Sequence, residues 1–175
     1  MPKLEVVRTY LEMTGREALR PFPNPEPRAR VERLTGCPAS FFRYLYVEVG
    51  RNYHWVDHLG WTDDEWRARL ASPAVSLFLL SVAGAPAGYF ELERHPDGSV
   101  EIAYFGLLPE FLGRGLGKYL LSQAAEAAWA LEPTRVWLHT CTLDDPAALP
   151  NYLARGFRAF KSETYETDVA AAASG

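Results

Sequence analysis

Hydrophobic and polar positions change rhythm several times along this chain, and each change marks an element. Leu4 to Met13 is strand-like, with apolar and polar positions mixed. Phe41 to Val49 and Asp63 to Ala71 carry helical spacing. Thr62 with Glu65 three residues on is a capping box for the second, and Ser40 is placed to cap the first. Val75 to Val82, Ala87 to Arg94 and Ser99 to Leu108 are β-friendly runs. Gly84-Ala85-Pro86 and His95-Pro96-Asp97-Gly98 separate them, which predicts an antiparallel meander. The period then becomes helical: Leu116, Tyr119, Leu120, Ala124, Ala127, Ala128 and Leu131 form one stripe of a helix from about Gly113 to Leu131, stopped by Pro133. A strand over Arg135 to Cys141, a helix over Asp145 to Arg155 and a strand over Phe157 to Glu166 follow. The Ala-rich end, 168–175, is expected to fray.

Composition narrows the class. With 175 residues, 48% of them hydrophobic, the chain has one-domain length and enough apolar material for a core. No repeat or linker divides residues 1–175, so a single domain is expected. Eighteen Lys+Arg against 22 Asp+Glu give a net charge of −4, which argues against a nucleic-acid binder held by a general basic surface. The longest largely apolar run, Ala74 to Ala83, is far short of the ~20 residues that span a bilayer. No apolar leader opens the chain, and Cys37 and Cys141 make neither a disulfide framework nor a metal knuckle, so a cytoplasmic location is expected. Pro21-Phe-Pro-Asn-Pro-Glu-Pro27 reads as a stiff connector rather than a ligand for another domain. The result is a mixed α/β domain.

Chemistry concentrates in one stretch, Glu101-Ile-Ala-Tyr-Phe-Gly-Leu-Leu-Pro-Glu-Phe-Leu-Gly-Arg-Gly-Leu-Gly-Lys118, where a strand runs into a glycine-rich turn that opens a helix. The backbone N–H groups of a helix start lack intrahelical acceptors and sit at the positive end of the dipole. Glycine at 113, 115 and 117 lets an anion approach that backbone, Arg114 and Lys118 add charge, and no acid lies between Leu112 and Gln123. A pyrophosphate fits this design. A Walker A loop is excluded, since Leu112 and Tyr119 break its pattern, and G-x-G-x-G after an antiparallel meander is not the Rossmann fingerprint. A merely tight strand-to-helix turn is the plain alternative.

Leu107-Leu108-Pro109 followed by Leu112-Gly113-Arg114-Gly115-Leu116-Gly117 resembles the [Q/R]-x-x-G-x-[G/A] motif of the GNAT N-acetyltransferase superfamily. Leu112 stands where Gln or Arg is usual. Asp145-Pro-Ala-Ala148-Leu-Pro-Asn-Tyr152-Leu-Ala-Arg-Gly156-Phe157 resembles the family's N-x-x-A-x-x-x-Y…G-F, with Asp145 for Asn and Pro150 inside the helical turn. The resemblance implies a mixed, mostly antiparallel twisted sheet flanked by helices. It also implies acetyl-CoA as co-substrate without a metal, a small-molecule or peptide amine as acceptor, and direct transfer. It leaves room for a homodimer. A non-catalytic acetyl-CoA sensor or scaffold is the alternative kept open by Leu112, Asp145 and Pro150, and a third reading keeps the catalysis with another acyl-CoA or a hydroxyl acceptor.

By the same resemblance Gly113, Arg114, Gly115, Leu116, Gly117 and Lys118 hold the pyrophosphate, with Leu112 and Asp145 at the motif starts. Backbone groups of Phe105, Leu107 and Leu108 pair with pantetheine. Tyr152 is the candidate proton donor to the leaving thiolate; the alternative is a tyrosine that closes helix onto sheet. Glu101 is the candidate base. Strand alternation would set it on one face with Ala103, Phe105 and Leu107, among apolar neighbours; the alternative is a strand glutamate paired with Arg94. His54 and His58 lack the Glu and third ligand of a zinc site, and His139 and Cys141 share a strand face without the surroundings of a nucleophile. The aromatic run Phe41, Phe42, Tyr44, Tyr46, Tyr53, Trp55, Trp61 and Trp66, with acids Asp57 and Asp63 to Glu65, is where an amine acceptor would be met, or is simply helix packing.

Overall fold

A computed structural model describes residues 2–168. Seven strands and four helices follow in the order β1 (Lys3–Met13), β2 (Ala29–Leu34), α1 (Ala39–Gly50), α2 (Asp63–Ala71), β3 (Val75–Val82), β4 (Ala85–Arg94), β5 (Val100–Leu107), α3 (Leu116–Trp129), β6 (Val136–Cys141), α4 (Ala148–Ala154) and β7 (Arg158–Asp168). They build one sheet, β2-β3-β4-β5-β6-β1-β7, antiparallel throughout except for the parallel pair β5 and β6. The mixed, mostly antiparallel sheet expected from the sequence is therefore the sheet observed.

Each face carries its own core. Alternate strand positions such as Leu11, Leu80, Phe90, Leu92, Val100, Ile102 and Val136 pack beneath the Leu116, Leu120, Leu121, Ala124 and Ala128 stripe of α3. The opposite face of β3, β4 and β5 offers Leu77 and Tyr89 to Phe42, Leu45, Tyr46 and Val49 of α1 and Trp66 of α2. The Thr62–Glu65 capping box is present, with the Thr62 side chain accepting from Glu65 N–H and the Glu65 carboxylate from Thr62 N–H.

Four expectations need correction. The strand β2 was not anticipated; Ala29 and Val31 alternate with charged residues on a short edge strand, too weak a pattern to stand out. Ser40 does not cap α1, because Pro38 takes the N-cap position and its carbonyl receives the Phe41 and Phe42 N–H groups. Both glycine-loop and C-terminal helices start later than their polar leads suggest, α3 at Leu116 and α4 at Ala148. Asp168 is not frayed but pairs with Lys3 at the end of β7, while the rest of the expected loose end, 169–175, lies outside the described residues.

One irregularity sets up the site. Between Glu91–Tyr104 and Leu92–Ile102 the register of β4 and β5 shifts, leaving Ala103 as an extra residue in β5. Such a bulge bends its strand and reverses the side-chain alternation beyond it. The β5–β6 pairing is confined to Val100–Val136 and Glu101–Trp137, after which the two strands diverge.

Candidate active site

A cleft of about 1120 Å³ occupies the divergence between β5 and β6. Residues from both faces of the sheet line it: Gly113, Gly115, Gly117, Lys118 and Tyr152 on the α3 side, and Trp55, His58, Trp61, Glu93, Glu101 and Tyr104 on the α1–α2 side. A ligand can thus reach from one face to the other through the sheet. On the β6 side, the backbone of Ile102 to Leu107 has no ladder partner among the described residues, so its polar groups are open to the cleft.

At the α3 end, Gly113 (φ 78°) and Gly115 (φ 77°) are both left-handed, a conformation that favours glycine. Gly115 is the N-cap; no side chain caps the helix, and no acid stands in its first turn. The first N–H groups of this 14-residue helix are consequently left for an external acceptor. A Cβ at Gly113 would meet nothing within 4 Å, so that space is free for a ligand. This is a cradle that suits a diphosphate.

The cations around it differ from the sequence expectation. Lys118 lines the cleft, but Arg114 is exposed outside it, its guanidinium 5.3 Å from the Phe111 ring and donating to Glu110 O at 3.4 Å. Arg155, not anticipated, lines the cleft instead. Lys118 and Arg155 flank the Phe22 ring at 5.2 and 5.4 Å, and the Phe22 N–H donates to Ser122 Oγ at 2.8 Å. The proline segment is therefore a strap laid along α3. Leu108 and Leu116 are buried core residues, and the Leu108 N–H already donates to Ala87 O at 2.8 Å; Leu107 and Leu112 line the cleft.

Tyr152 is set into the cleft wall by α4. Pro150 is compatible with that helix because it occupies the first turn, where its missing N–H would have had no intrahelical partner. The Tyr152 ring packs edge-on between Phe105 and Phe157, each 6.3 Å away. Burial, followed by the charge of Asp144, pushes its phenol well above the ordinary range, so the hydroxyl keeps its proton and is a donor at neutral pH. Asp145 is not the N-cap of α4. Its Oδ1 accepts from Ala147 N–H at 2.8 Å in a local turn, and its Oδ2 accepts from Tyr53 across the cleft at 3.1 Å. Burial, followed by that charge, lifts the Tyr53 phenol to about 12.

Glu101 lies on the face opposite to the one expected. The Ala103 bulge puts it with Tyr104 and Gly106, while Phe105 and Leu107 turn to the α3 side. Its neighbours are polar: Glu93 is its Cα partner on β4, and His95 Nε2 lies 3.0 Å from its Oε1. Arg94 is not its partner, since that guanidinium donates to Leu131 O.

The α1–α2 side is an aromatic chamber with an acidic floor. His58 stacks on Trp61 at 3.6 Å and on Tyr46 at 4.9 Å, and its Nε2 is 3.4 Å from the Tyr104 hydroxyl. Burial holds the His58 imidazole down to about 4, against the pull of Asp57. Trp66 is buried and serves packing. Arg69 from α2 donates to Glu91 at 2.6 Å and to Glu93 at 3.0 Å, two carboxylates on one guanidinium. His54 and His58 gather no third ligand; the single cluster of three liganding groups among the described residues is Glu93, His95 and Glu101, whose members are already bonded to Arg69 or to each other. His139 and Cys141 do share a face of β6 and line the cleft, but burial and Asp144 push the Cys141 thiol up, away from the reactive thiolate.

Solved structures with this fold are N-acetyltransferases among others. A GCN5-related N-acetyltransferase from Kribbella flavida superposes with a TM-score of 0.66 at 19% identity, over 94% of this chain and 58% of its own. An aminoglycoside N-acetyltransferase in complex with CoA superposes at 0.56 and 16%, over 76% of this chain and 90% of its own. A ribosomal-protein alanine N-acetyltransferase from Escherichia coli gives 0.59 and 15%, over 76% and 79%. The chain spans 52% to 63% of the longer structures that it resembles over nearly its whole length. No curated protein sequence matches it. The model of the acetyltransferase (GNAT) family matches residues 39–157, a stretch that holds the glycine loop, Glu101 and Tyr152. The chain belongs to that family.

Proposed function

We propose that the protein is an acetyl-CoA-dependent N-acetyltransferase that moves the acetyl group directly to an amine of a small molecule or peptide. The observation that carries this reading is the cleft through the sheet. It joins an anion cradle on one face to an aromatic, acidic chamber on the other. A protein that only sensed the cofactor would have no need of the second half.

Bound in the cradle, acetyl-CoA supplies a thioester already activated towards amines. The first N–H groups of α3, Lys118 and Arg155 hold its diphosphate, and the open edge of β5 from Ile102 to Leu107 pairs with its pantetheine. Trp61, His58 and Tyr104 wall in the acceptor, and the carboxylates favour a cationic one. Glu101 removes a proton from the acceptor's ammonium form, and the freed amine forms the C–N bond as the C–S bond breaks. Tyr152 gives its hydroxyl proton to the departing sulfur, and the second proton leaving the nitrogen restores the Tyr152 phenol. Neither role needs a covalent enzyme intermediate.

The test is release of free thiol from acetyl-CoA on addition of amines: polyamines, aminoglycosides, and peptides with a free N-terminal alanine. Amine-dependent release with an acetylated product is expected. Binding of acetyl-CoA without release from any of them would favour the sensor alternative.

A further inference from the structure

We propose that His95 is a positioning residue for the transfer, holding the Glu101 carboxylate so that its second oxygen meets the acceptor. This rests on the reading of Glu101 as the base. Glu101 lines the cleft, and His95 does not; the imidazole stands behind the carboxylate, 31% exposed to solvent. With hydrogen on Nε2, His95 donates to Oε1 at 3.0 Å and leaves Oε2 for the acceptor.

The carboxylate needs such a restraint because of what surrounds it. From β4 it faces Glu93, its direct partner, with Glu91 further along; from α2, Arg69 is already engaged by both of these. From β6 it faces Trp137 and His139, with Arg8 of β1 beyond, and Asp97 lies in the turn beside His95. The liganding atoms of Glu93, His95 and Glu101 lie within 4.8 Å of one another. Two carboxylates so close repel, which pushes an unrestrained Glu101 side chain away from Glu93 and out of line. His95 supplies the opposing hold.

His95 itself is well fixed. Pro96 follows it, Gly98 (φ 83°) closes the turn, the His95 N–H donates to Ser99 O at 2.9 Å, and Asp97 Oδ1 accepts from both Ser99 N–H and Ser99 Oγ. The imidazole lies 5.4 Å from the Trp137 ring, and the indole N–H donates to Ser99 Oγ at 3.1 Å. In the step, one N–H bond of the ammonium breaks as an O–H bond forms on Oε2, and that proton later exchanges to solvent. His95 keeps its own proton on Nε2 throughout.

The experiment compares wild type, His95→Ala, His95→Gln, Glu101→Gln and the double variant His95→Ala/Glu101→Gln, using an amine that turns over in the panel above. His95→Ala lowers kcat about tenfold or more, as expected for one charge-assisted hydrogen bond, and leaves the KM for acetyl-CoA within about twofold. His95→Gln, whose amide nitrogen reaches the place of Nε2, restores kcat. In the Glu101→Gln background, His95→Ala costs nothing more. If His95→Ala does not fold, His95→Asn, too short to reach Glu101, takes its place. Unchanged kcat on loss of His95, no recovery in His95→Gln, or an equal loss in the Glu101→Gln background overturns the proposal alone. Full activity of Glu101→Gln, or no amine-dependent turnover at all, removes the base reading and this proposal with it.

Discussion

Replacing Arg69 by methionine probes how the acceptor chamber is built. The guanidinium joins α2 to β4 through Glu91, which is completely buried, and Glu93, at the cleft. Removing it leaves Glu91 without a charged partner among the described residues, where its Oε2 already lacks any. Breaking a buried pair in this way costs roughly 3–5 kcal/mol. The lower end, about 3 kcal/mol, applies because 18% of the Arg69 side chain reaches solvent. For a chain of this length that lowers the melting temperature by about 6–12 °C. Burial already holds the Glu91 carboxyl above the usual glutamate range, against the pull of Arg69. Without Arg69 it rises further. A carboxyl raised on folding contributes stability below its unfolded value of about 4.3, and that contribution is lost as pH rises through the folded value. The variant's deficit is therefore small at pH 5 and grows by up to about 1.4 kcal/mol per pH unit until the folded value is passed. Urea unfolding at pH 5 and pH 8 reads this directly. A deficit independent of pH, or none, would refute the reasoning, and adding Glu91→Met should recover most of the loss.

Tyr152→Phe should lower kcat by about a hundredfold, as for loss of a general acid, with acetyl-CoA affinity nearly unchanged; equal losses in both would assign Tyr152 to binding or packing. His58 should show no imidazole titration by NMR between pH 5 and 8, since burial holds it down to about 4, and a midpoint near its ordinary value would place it in water. Gly106→Ala brings a Cβ to 2.5 Å from Val49 Cγ1; thermal melting should show about 1–3 kcal/mol of destabilisation from overpacking, and an unchanged melting temperature would mean α1 yields freely.

What the sequence disclosed divides along physical lines. Local signals carried well: the capping box at Thr62, the α3 stripe, the meander with its Gly and Pro turns, and the glycine cradle all depend on neighbours within a few residues. Glu101 shows where locality ends. Its residue type and place on β5 were legible, but the Ala103 bulge is a property of the β4–β5 pairing, and it turned the side chain to the opposite face. Arg155, the bond of Tyr53 to Asp145 and the Arg69–Glu91–Glu93 group were missed because the chain brings these residues together from afar. Arg155 alone had a local sign, standing on the helix of the tyrosine motif, one turn after Asn151, whose amide it meets at 3.4 Å. Arg114 read as a ligand for an anion because charge is visible in a sequence and direction is not.

Calorimetric titration of acetyl-CoA into wild type and Gly117→Ala tests the central claim most directly. A Cβ at Gly117 would meet only Leu107 Cδ1, at an ordinary 3.8 Å, so the fold accepts alanine there. Within the first turn of α3 it should raise helix stability by about 0.5–1 kcal/mol. Saturable binding to wild type, with affinity reduced about tenfold in the equally or more stable variant, is the predicted result. No binding to wild type, or identical binding to both, would contradict the assignment of the glycine cradle to acetyl-CoA.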